Sequence, residues 1–329
     1  MTLPNKATFI GSATLFVLSV AAAPPLFATD IPLTNPSFES PALGDGGYNY
    51  TIPGWTITGP GVAGVWDPLV GQSGSPGGCA DPSAAFVAGI PDGNQVGYSN
   101  GGDLAQTTGA TITPGYRYTL KVSIGGRCPV YANQAYALIL AGTAAVSTVT
   151  DSNGANSWVE QTVTYTSPPS DPNAGQPLAI KIVNYGGGQL DFDRVRLQAA
   201  GVLTCQGFLS PFDKTLSLKK KENRAIPVKM VLRDLFGNVI TDAALSPPPV
   251  VQVTLGGVSV PFDDYNADLL PSGLSDDGNQ FRYDPLGQQW IINLGTKQFT
   301  GSGAYTVQAI PGDDSYVIDS SCTQTFTRQ

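Results

Sequence analysis

The chain has 329 residues, enough for about two domains, and its 25 acidic against 17 basic residues give a net charge of −8. This charge disfavours nucleic acids and acidic lipids as partners, because both are anionic. Charged residues make up 13% of the chain, too few for long amphipathic helices, whereas 39 glycines and 27 prolines are typical of short strands joined by turns. We therefore expect an all-β protein.

The first 28 residues have the pattern of a secretory signal peptide, with a short apolar segment at 13–23 that is too short to span a membrane. Cleavage is expected after Ala28. Cleavage near Ala23 is the alternative, because Leu26 is an unfavourable residue three positions before the expected site. Since no other apolar segment is long enough to cross a bilayer, we expect a secreted or cell-surface-associated protein without a membrane span.

Alternation of apolar and polar residues predicts a first domain of short strands over residues 29–198. The clearest strand is 116–125, in which Tyr118, Leu120 and Val122 share one face. The predicted strands lie at residues 56–58, 95–99, 104–107, 116–125, 135–142, 158–165, 178–183 and 190–197. Eight or nine strands at this spacing predict a two-sheet β-sandwich.

Two motifs frame this domain: Asn35-Pro36-Ser37-Phe38-Glu39 near its start and Leu190-Asp191-Phe192-Asp193-Arg194-Val195-Arg196-Leu197 at its end. The pair resembles the first and last strands of galactose-binding-like jelly rolls, such as the carbohydrate-binding modules of families 4, 9 and 22. The matching residues are Asn35, Phe38 and Glu39 in the first motif and Asp193, Val195 and Leu197 in the last. Arg194 stands where those modules usually have a second acidic or amide residue.

Glu39 and Asp193 are carboxylates set among apolar neighbours, and a buried carboxylate needs a partner. The jelly-roll resemblance implies that this partner is a structural calcium ion tying the two ends of the domain together. We therefore predict calcium as a cofactor, with Glu39 and Asp193 as its ligands.

The resemblance also implies that the domain binds a glycan or a cell-surface polysaccharide, which would stack on exposed aromatic rings. The candidate ligand-binding residues are Trp66, Tyr98, Tyr131 and Tyr185, with Tyr48 and Tyr50 as weaker candidates. Each of these rings, taken alone, is more often a core or rim residue. Trp55, which follows a Pro-Gly pair, is predicted to be buried.

A second domain is predicted at residues 205–329, after a short linker at 199–204. Its predicted strands lie at residues 215–219, 226–233, 250–255, 280–283, 289–293 and 303–309. The segment Pro227-Val228-Lys229-Met230 and the later motifs, which keep their order, resemble the bacterial Pro-x-Lys-Phe surface modules, with Met230 in place of Phe. That resemblance implies an immunoglobulin-like β-sandwich that acts as a spacer or adhesive module. The short linker predicts that each domain folds alone.

The four cysteines, an even number in an exported chain, predict disulfides with three possible connectivities. Because two cysteines fall in each predicted domain, we favour Cys79–Cys128 and Cys205–Cys322. Zinc is a poor alternative, since the spacings are long and the chain has no histidine.

The same lack of histidine argues against the serine-hydrolase pattern Gly97-Tyr98-Ser99-Asn100-Gly101, because the mechanism needs a base. No pair of acidic residues is marked as a glycosidase pair. The sequence therefore predicts a non-catalytic binding protein. A purely structural surface or matrix protein is the alternative, and a hydrolase is a third, weaker one. Oligomeric state is left open.

Overall fold

The computed structural model describes residues 26–69, 86, 89–126, 135–151, 158–185, 188–219, 225–260, 278–297 and 299–329. These residues form strands and turns, and the helical structure among them is one 3-10 turn at Asp242–Ala244. The all-β prediction is confirmed. In the same ranges no helix has the length and apolar character needed to cross a membrane.

Twelve strands build the first β-sandwich. They are β1 (Thr29–Asp30), β2 (Tyr48–Asn49), β3 (Thr56–Thr58), β4 (Val62–Trp66), β5 (Val96–Asn100), β6 (Asp103–Thr111), β7 (Tyr116–Gly125), β8 (Ala135–Ala141), β9 (Ala144–Asp151), β10 (Trp158–Thr166), β11 (Pro177–Asn184) and β12 (Leu190–Thr204).

The two sheets of this sandwich face each other across one apolar core. The first is nine-stranded, with the path β10-β7-β12-β5-β4-β2 and with β1 and two strands of the second domain paired to β12. The second sheet has the order β3-β6-β11-β8-β9. Along β7, Tyr118, Leu120 and Val122 are buried in the core, whereas Arg117, Thr119 and Lys121 lie on the opposite, outer face. This outer face carries the candidate site.

The opening and closing motifs meet as the sequence predicts. The N–H of Val195 donates to the carbonyl of Pro36 at 2.9 Å. Phe38 is fully buried and stacks on Trp55 with ring centroids 5.3 Å apart. Trp55, in turn, donates its indole N–H to the carbonyl of Asn35 at 3.1 Å, so the prediction that it is a core residue is confirmed.

Residues 199–204 were predicted to be a linker, and this is wrong: they form the last part of β12. Their small side chains suggested flexibility, but they instead allow another segment to pack closely. A Cβ atom on Gly201 would lie 2.7 Å from the carbonyl oxygen of Leu26. The extended β12 then pairs with two strands of the second domain, so one strand belongs to both halves.

Ten strands build the second half. They are β13 (Leu216–Leu218), β14 (Ala225–Met230), β15 (Arg233–Asp234), β16 (Val250–Leu255), β17 (Val258–Ser259), β18 (Arg282–Asp284), β19 (Gln289–Gly295), β20 (Gly303–Ile310), β21 (Val317–Ile318) and β22 (Thr323–Arg328). A five-stranded sheet, β13-β22-β20-β16-β17, and a three-stranded sheet, β14-β19-β18, enclose a separate core that includes Trp290 and Phe326.

The predicted disulfide Cys205–Cys322 is confirmed, with a Cα separation of 5.5 Å. Both cysteines are buried beside the second core. Cys79 and Cys128, the other predicted pair, lie outside the described residues.

Candidate functional site

The candidate site lies on the outer face of the nine-stranded sheet, where β4, β5 and β12 run side by side. Their register pairs Tyr98 with Gly64 on one side and with Asp191 on the other. Residues directly opposite in an antiparallel pair project from the same face of the sheet. The fold thus brings Tyr98 and Asp191 together from distant parts of the sequence.

Aromatic side chains cover this part of the sheet. Trp66 and Tyr98 form an apolar cluster with Phe86 and Val96, separate from the two domain cores. The ring of Phe86 lies between two tryptophans, 6.0 Å from Trp66 and 4.9 Å from Trp158, measured between ring centroids. Residue 86 is therefore held against the sheet as part of the site.

Beside this cluster is a pocket of about 300 Å³, lined by Tyr48, Tyr50, Trp66, Tyr98 and Gln189. Its deeper part is made of buried side chains, since Trp66 is 8% and Tyr98 6% exposed. Its rim is open, since Tyr48 and Tyr50 are both more than half exposed and contact each other edge to face. The aromatic rings of this open pocket favour an aromatic small molecule, to which the phenol and amide groups of the lining can hydrogen-bond.

Asp191 is the acidic group of the site. Its side chain has no exposed surface, and the side-chain amide of Gln189 donates a hydrogen bond to its Oδ1 atom at 2.8 Å. Because Gln189 also lines the pocket, the carboxyl group lies one side chain away from the pocket space.

Tyr98 supplies the second proton-bearing group. Burial, with smaller contributions from Tyr50 and Tyr48, raises the pKa of Tyr98 to about 12, so the phenol keeps its proton near neutral pH. Its ring is packed against Gly64, where a Cβ atom would lie 2.9 Å from the phenol oxygen. Glycine at position 64 therefore makes room for this phenol.

The structure brings some of the predicted binding residues together and not others. Trp66 and Tyr98 share the pocket, with the weaker candidates Tyr48 and Tyr50 at its rim. Tyr185 is 69% exposed and is not among the lining residues. Tyr131 lies outside the described residues.

The sequence analysis missed Asp191 and Gln189. One signal was available, because Asp191 and Asp193 flank the apolar Phe192 and so share the face of the strand opposite to it.

The predicted calcium ligands, Glu39 and Asp193, lie near enough for their carboxyl groups to interact. Glu39 accepts the backbone N–H groups of Asn94 and Gln95 through Oε1. Asp193 is fully buried and accepts the N–H groups of Asp92 and Arg194. Burial raises the pKa of Asp193 to about 7, and the nearby Asp92 and Glu39 carboxylates add to the rise. Among the described residues, no group of three or more acidic, histidine or cysteine side chains is arranged to hold a metal.

Ser99, the serine of the hydrolase-like pattern, has a structural role. It is fully buried, its hydroxyl donates to the carbonyl of Gly102 at 2.6 Å, and it accepts the N–H of Gly101 at 3.1 Å. These bonds hold a glycine turn between β5 and β6.

A larger cavity of about 480 Å³ lies where the two halves meet, with Tyr116, Val202 and Phe236 among its lining residues. Its one carboxylate, Asp234, accepts hydrogen bonds from the backbone and side chain of Asn238 and so holds a turn. Volume alone therefore does not make this cavity the functional site, and the face that carries Tyr98 and Asp191 is the better candidate.

Comparison with known proteins gives one family match. The HpiC1-like family, described as HpiC1 cyclase, matches residues 29–198. No curated protein matches the sequence.

Similar solved structures include the Stig cyclase Fisc from Fischerella sp. TAU in complex with (3Z)-3-(1-methyl-2-pyrrolidinylidene)-3H-indole, with 27% identity, a TM-score of 0.45, and coverage of 53% of this chain and 98% of that one. A cyclase from the same organism in complex with 4-(1H-indol-3-yl)butan-2-one has 26% identity, the same coverage and a TM-score of 0.45. The CBM22-1 xylan-binding domain of Paenibacillus barcinonensis Xyn10C has 12% identity and a TM-score of 0.28, with coverage of 49% and 99%.

The family match overturns two predictions. The sequence was interpreted as that of a non-catalytic binding protein and not of an enzyme, and both statements are wrong, because residues 29–198 match a cyclase family. The error arose because the jelly-roll motifs at the two ends of the domain describe its scaffold, whereas the proton-bearing residues lie on the outer face of one sheet.

Proposed function

This chain belongs to the HpiC1-like family, and from that membership we propose that its first sandwich is a cyclase that closes a ring in a small, largely apolar molecule. The observation that carries the proposal is the pairing of Asp191 with Tyr98 across β12 and β5, beside a pocket lined by aromatic rings. This arrangement combines proton donors with an apolar binding surface.

The proposed chemistry is acid-catalysed ring closure. In this proposal the Gln189 side chain shifts when the substrate binds and uncovers the Asp191 carboxyl group, which donates a proton to an unsaturated carbon or imine of the substrate. The resulting cation is attacked by a second double bond or ring of the same molecule. Loss of a proton back to the Asp191 carboxylate completes an isomerisation in which no atom is gained or lost. The aromatic faces of Trp66 and Tyr98 stabilise the positive charge, and the neutral Tyr98 phenol donates a hydrogen bond.

Gln189 has a positioning role in this proposal. Its amide donates a hydrogen bond to Oδ1 of Asp191 and so orients the carboxyl group before the substrate binds.

A direct test is to incubate the protein with indoles that bear an unsaturated side chain and to separate isomeric products by chromatography. The wild-type protein should convert at least one of them to a product of unchanged mass. Asp191→Asn should lower the rate by about 100-fold or more, the range expected when a positioned acid is lost. Tyr185→Phe, a change at an exposed tyrosine, is the matched control and should leave the rate unchanged.

Binding is measured separately, by calorimetric titration with 4-(1H-indol-3-yl)butan-2-one. Trp66→Ala should weaken this binding, while Asp191→Asn should retain it. Equal product formation by the wild-type protein and Asp191→Asn would refute the role of Asp191. The absence of any isomerised product from a panel that does bind would refute the cyclase.

Calcium at Glu39 and Asp193 is a further part of the proposal. Burial raises the pKa of Asp193, the nearby Asp92 and Glu39 carboxylates add to the rise, and a bound cation would relieve the repulsion among the three groups. If calcium stabilises the folded protein, a chelator should lower the melting temperature of the wild type, because a ligand of the folded state stabilises it by mass action. Asp193→Asn should abolish that response, and an unmoved wild-type melting curve would argue against the metal.

For residues 205–329 we propose an immunoglobulin-like module of the Pro-x-Lys-Phe type that displays the cyclase on an exported protein. The two facing sheets and the disulfide support this proposal. Fractionation of the producing cells, with detection of the protein in the medium or at the cell surface, tests the export.

A further inference from the structure

Three basic side chains surround one carboxylate on the outer face of the nine-stranded sheet. Glu160 of β10 is contacted by Arg194 at 3.2 Å, by Arg196, and by Lys121 at 4.0 Å. We refer to Lys121, Arg194 and Arg196 as the basic cluster. Since one carboxylate faces three cations, the cluster has an excess of two positive charges, on a protein whose net charge is −8.

Stability alone is a poor explanation for the basic cluster. Its three side chains are 39–46% exposed, and ion pairs at such exposure contribute little to folding. Because only one of the three cations is balanced by the Glu160 carboxylate, the three basic side chains also repel one another. The nearby Asp193 accepts the backbone N–H groups of Arg194 and Asp92.

The backbone of Arg194 gives a second, independent observation. Its φ angle is +48°, in the left-handed region, at the point where the pairing of β12 with β7 shifts between Asp193 and Arg196. Asn or Gly would adopt this conformation at lower cost than Arg. Within the described residues, the buried Nε atom of Arg194 also has no hydrogen-bond acceptor. A strained residue with an unsatisfied donor is better explained by binding than by packing.

The geometry points to an oxyanion site: we propose that the basic cluster binds a soluble phosphate-type anion, with the guanidinium groups of Arg194 and Arg196 as its main donors. A planar guanidinium presents parallel N–H groups that match the oxygens of a phosphate, and Lys121 adds a point charge. Glu160 holds the three side chains near each other when no anion is bound.

The position of the basic cluster relates it to the pocket. Asp191 is opposite Gly125, Asp193 is opposite Ser123 and Arg196 is opposite Lys121, in successive same-face rows of the sheet. Such rows are about 7 Å apart, so the basic cluster lies within about 14 Å of Asp191. Because Gln189, the hydrogen-bond partner of Asp191, lines the pocket, one elongated molecule can place an aromatic ring in the pocket and an anionic group on the cluster. Anion binding itself does not depend on the cyclase proposal.

The test is a calorimetric titration of the whole protein with inorganic pyrophosphate, at low ionic strength and again at physiological salt. The wild type should bind, and the affinity should fall as salt rises. Arg194→Asn should weaken binding about tenfold or more, because a charge-assisted hydrogen bond is lost. Glu160→Gln should strengthen it several-fold, since the competing carboxylate is removed.

The matched control is Arg117→Asn. Arg117 lies on the same face of β7, where its Nε donates to Thr166 at 3.0 Å, outside the basic cluster. This variant should bind pyrophosphate within about twofold of the wild type, as expected for a charge more distant than the direct contacts. Asp191→Asn should also bind normally, so a failure of the cyclase proposal would not affect this result.

Melting temperatures separate binding from a structural role. Because Asn suits a positive φ, Arg194→Asn should melt at or above the wild-type temperature while losing affinity. A variant that melts lower and binds pyrophosphate as the wild type does would show that Arg194 is a structural ion-pair residue. The proposal would also be overturned if the wild type bound no pyrophosphate, or bound only to vesicles of phosphatidylglycerol.

Discussion

Asp171 shows how a single carboxyl group stabilises a turn in this protein. It lies in the connection between β10 and β11, where its oxygens accept hydrogen bonds from Tyr165 and Ser167, both at 2.5 Å, and from the N–H of Asn173 at 2.8 Å. Burial raises the pKa of Asp171, but these hydrogen bonds outweigh it and leave the pKa below its ordinary value.

The sign of this shift predicts a pH dependence. A carboxyl group with a lowered folded-state pKa stabilises the protein above its unfolded pKa of about 4, and that contribution is lost as the pH falls through the folded value. Asp171→Asn should cost about 1–3 kcal/mol at pH 7, and the cost should shrink toward pH 3. Urea unfolding of the wild type and Asp171→Asn at the two pH values measures the difference in their free energies of unfolding. A difference that does not change with pH would contradict the prediction.

The site residues also show what a single sequence can and cannot indicate about a functional site. Trp66 and Tyr98 could be selected as aromatic candidates because their residue type suggested binding. Asp191 could not be connected to them, because its pairing with Tyr98 depends on the register between β12 and β5, which are far apart in the chain.

At the scale of elements, strands with one buried face were predicted most accurately. β7 (Tyr116–Gly125) lies exactly at the predicted residues 116–125, and β16 (Val250–Leu255) at 250–255, because apolar side chains on alternate positions enter a core. β9 (Ala144–Asp151) was missed, since its apolar side chains are small and few. The last part of β12 was missed because Ala and Gly indicate flexibility unless a neighbouring segment packs against them.

That neighbouring segment, Leu26–Asp30, leads to a prediction about processing. Leu26 packs against the second core, its carbonyl accepts the N–H of Gly201 at 3.0 Å, and Thr29 pairs with Ala199. Cleavage after Ala28 would remove the first two of these contacts, whereas cleavage after Ala23 would keep them all.

If the chain is exported, we therefore expect its mature form to begin at Pro24, which N-terminal sequencing would show. A protein that begins at Thr29 should be about 1–2 kcal/mol less stable in urea than one that begins at Pro24, because Leu26 no longer buries its side chain. Equal urea midpoints for the two proteins would mean that the segment contributes nothing.

At the scale of the whole molecule, the two halves are joined by a shared strand. Leu203 of β12 is buried in the second core and pairs with Asp234 on one side and Ile318 on the other, while earlier residues of the same strand pair with β7 of the first domain. Unfolding either half exposes part of β12. This continuity argues against the expectation that each half would fold alone.

The oxidised protein should therefore unfold in one cooperative transition, and reduction of the disulfide should make the second half unfold before the first. The disulfide anchors Cys205, which directly follows β12, to Cys322, and it closes a loop with a sequence separation of 117. On the chain-entropy model, a disulfide that closes such a loop stabilises the folded protein by about 4–5 kcal/mol. Loss of the disulfide should therefore destabilise the second half before the first. Hydrogen exchange followed by mass spectrometry tests this with peptides from both halves. In a Cys205→Ser and Cys322→Ser double variant, peptides around Trp290 should exchange earlier than peptides around Leu120. Two separate transitions in the oxidised wild type would show that β12 does not couple the halves.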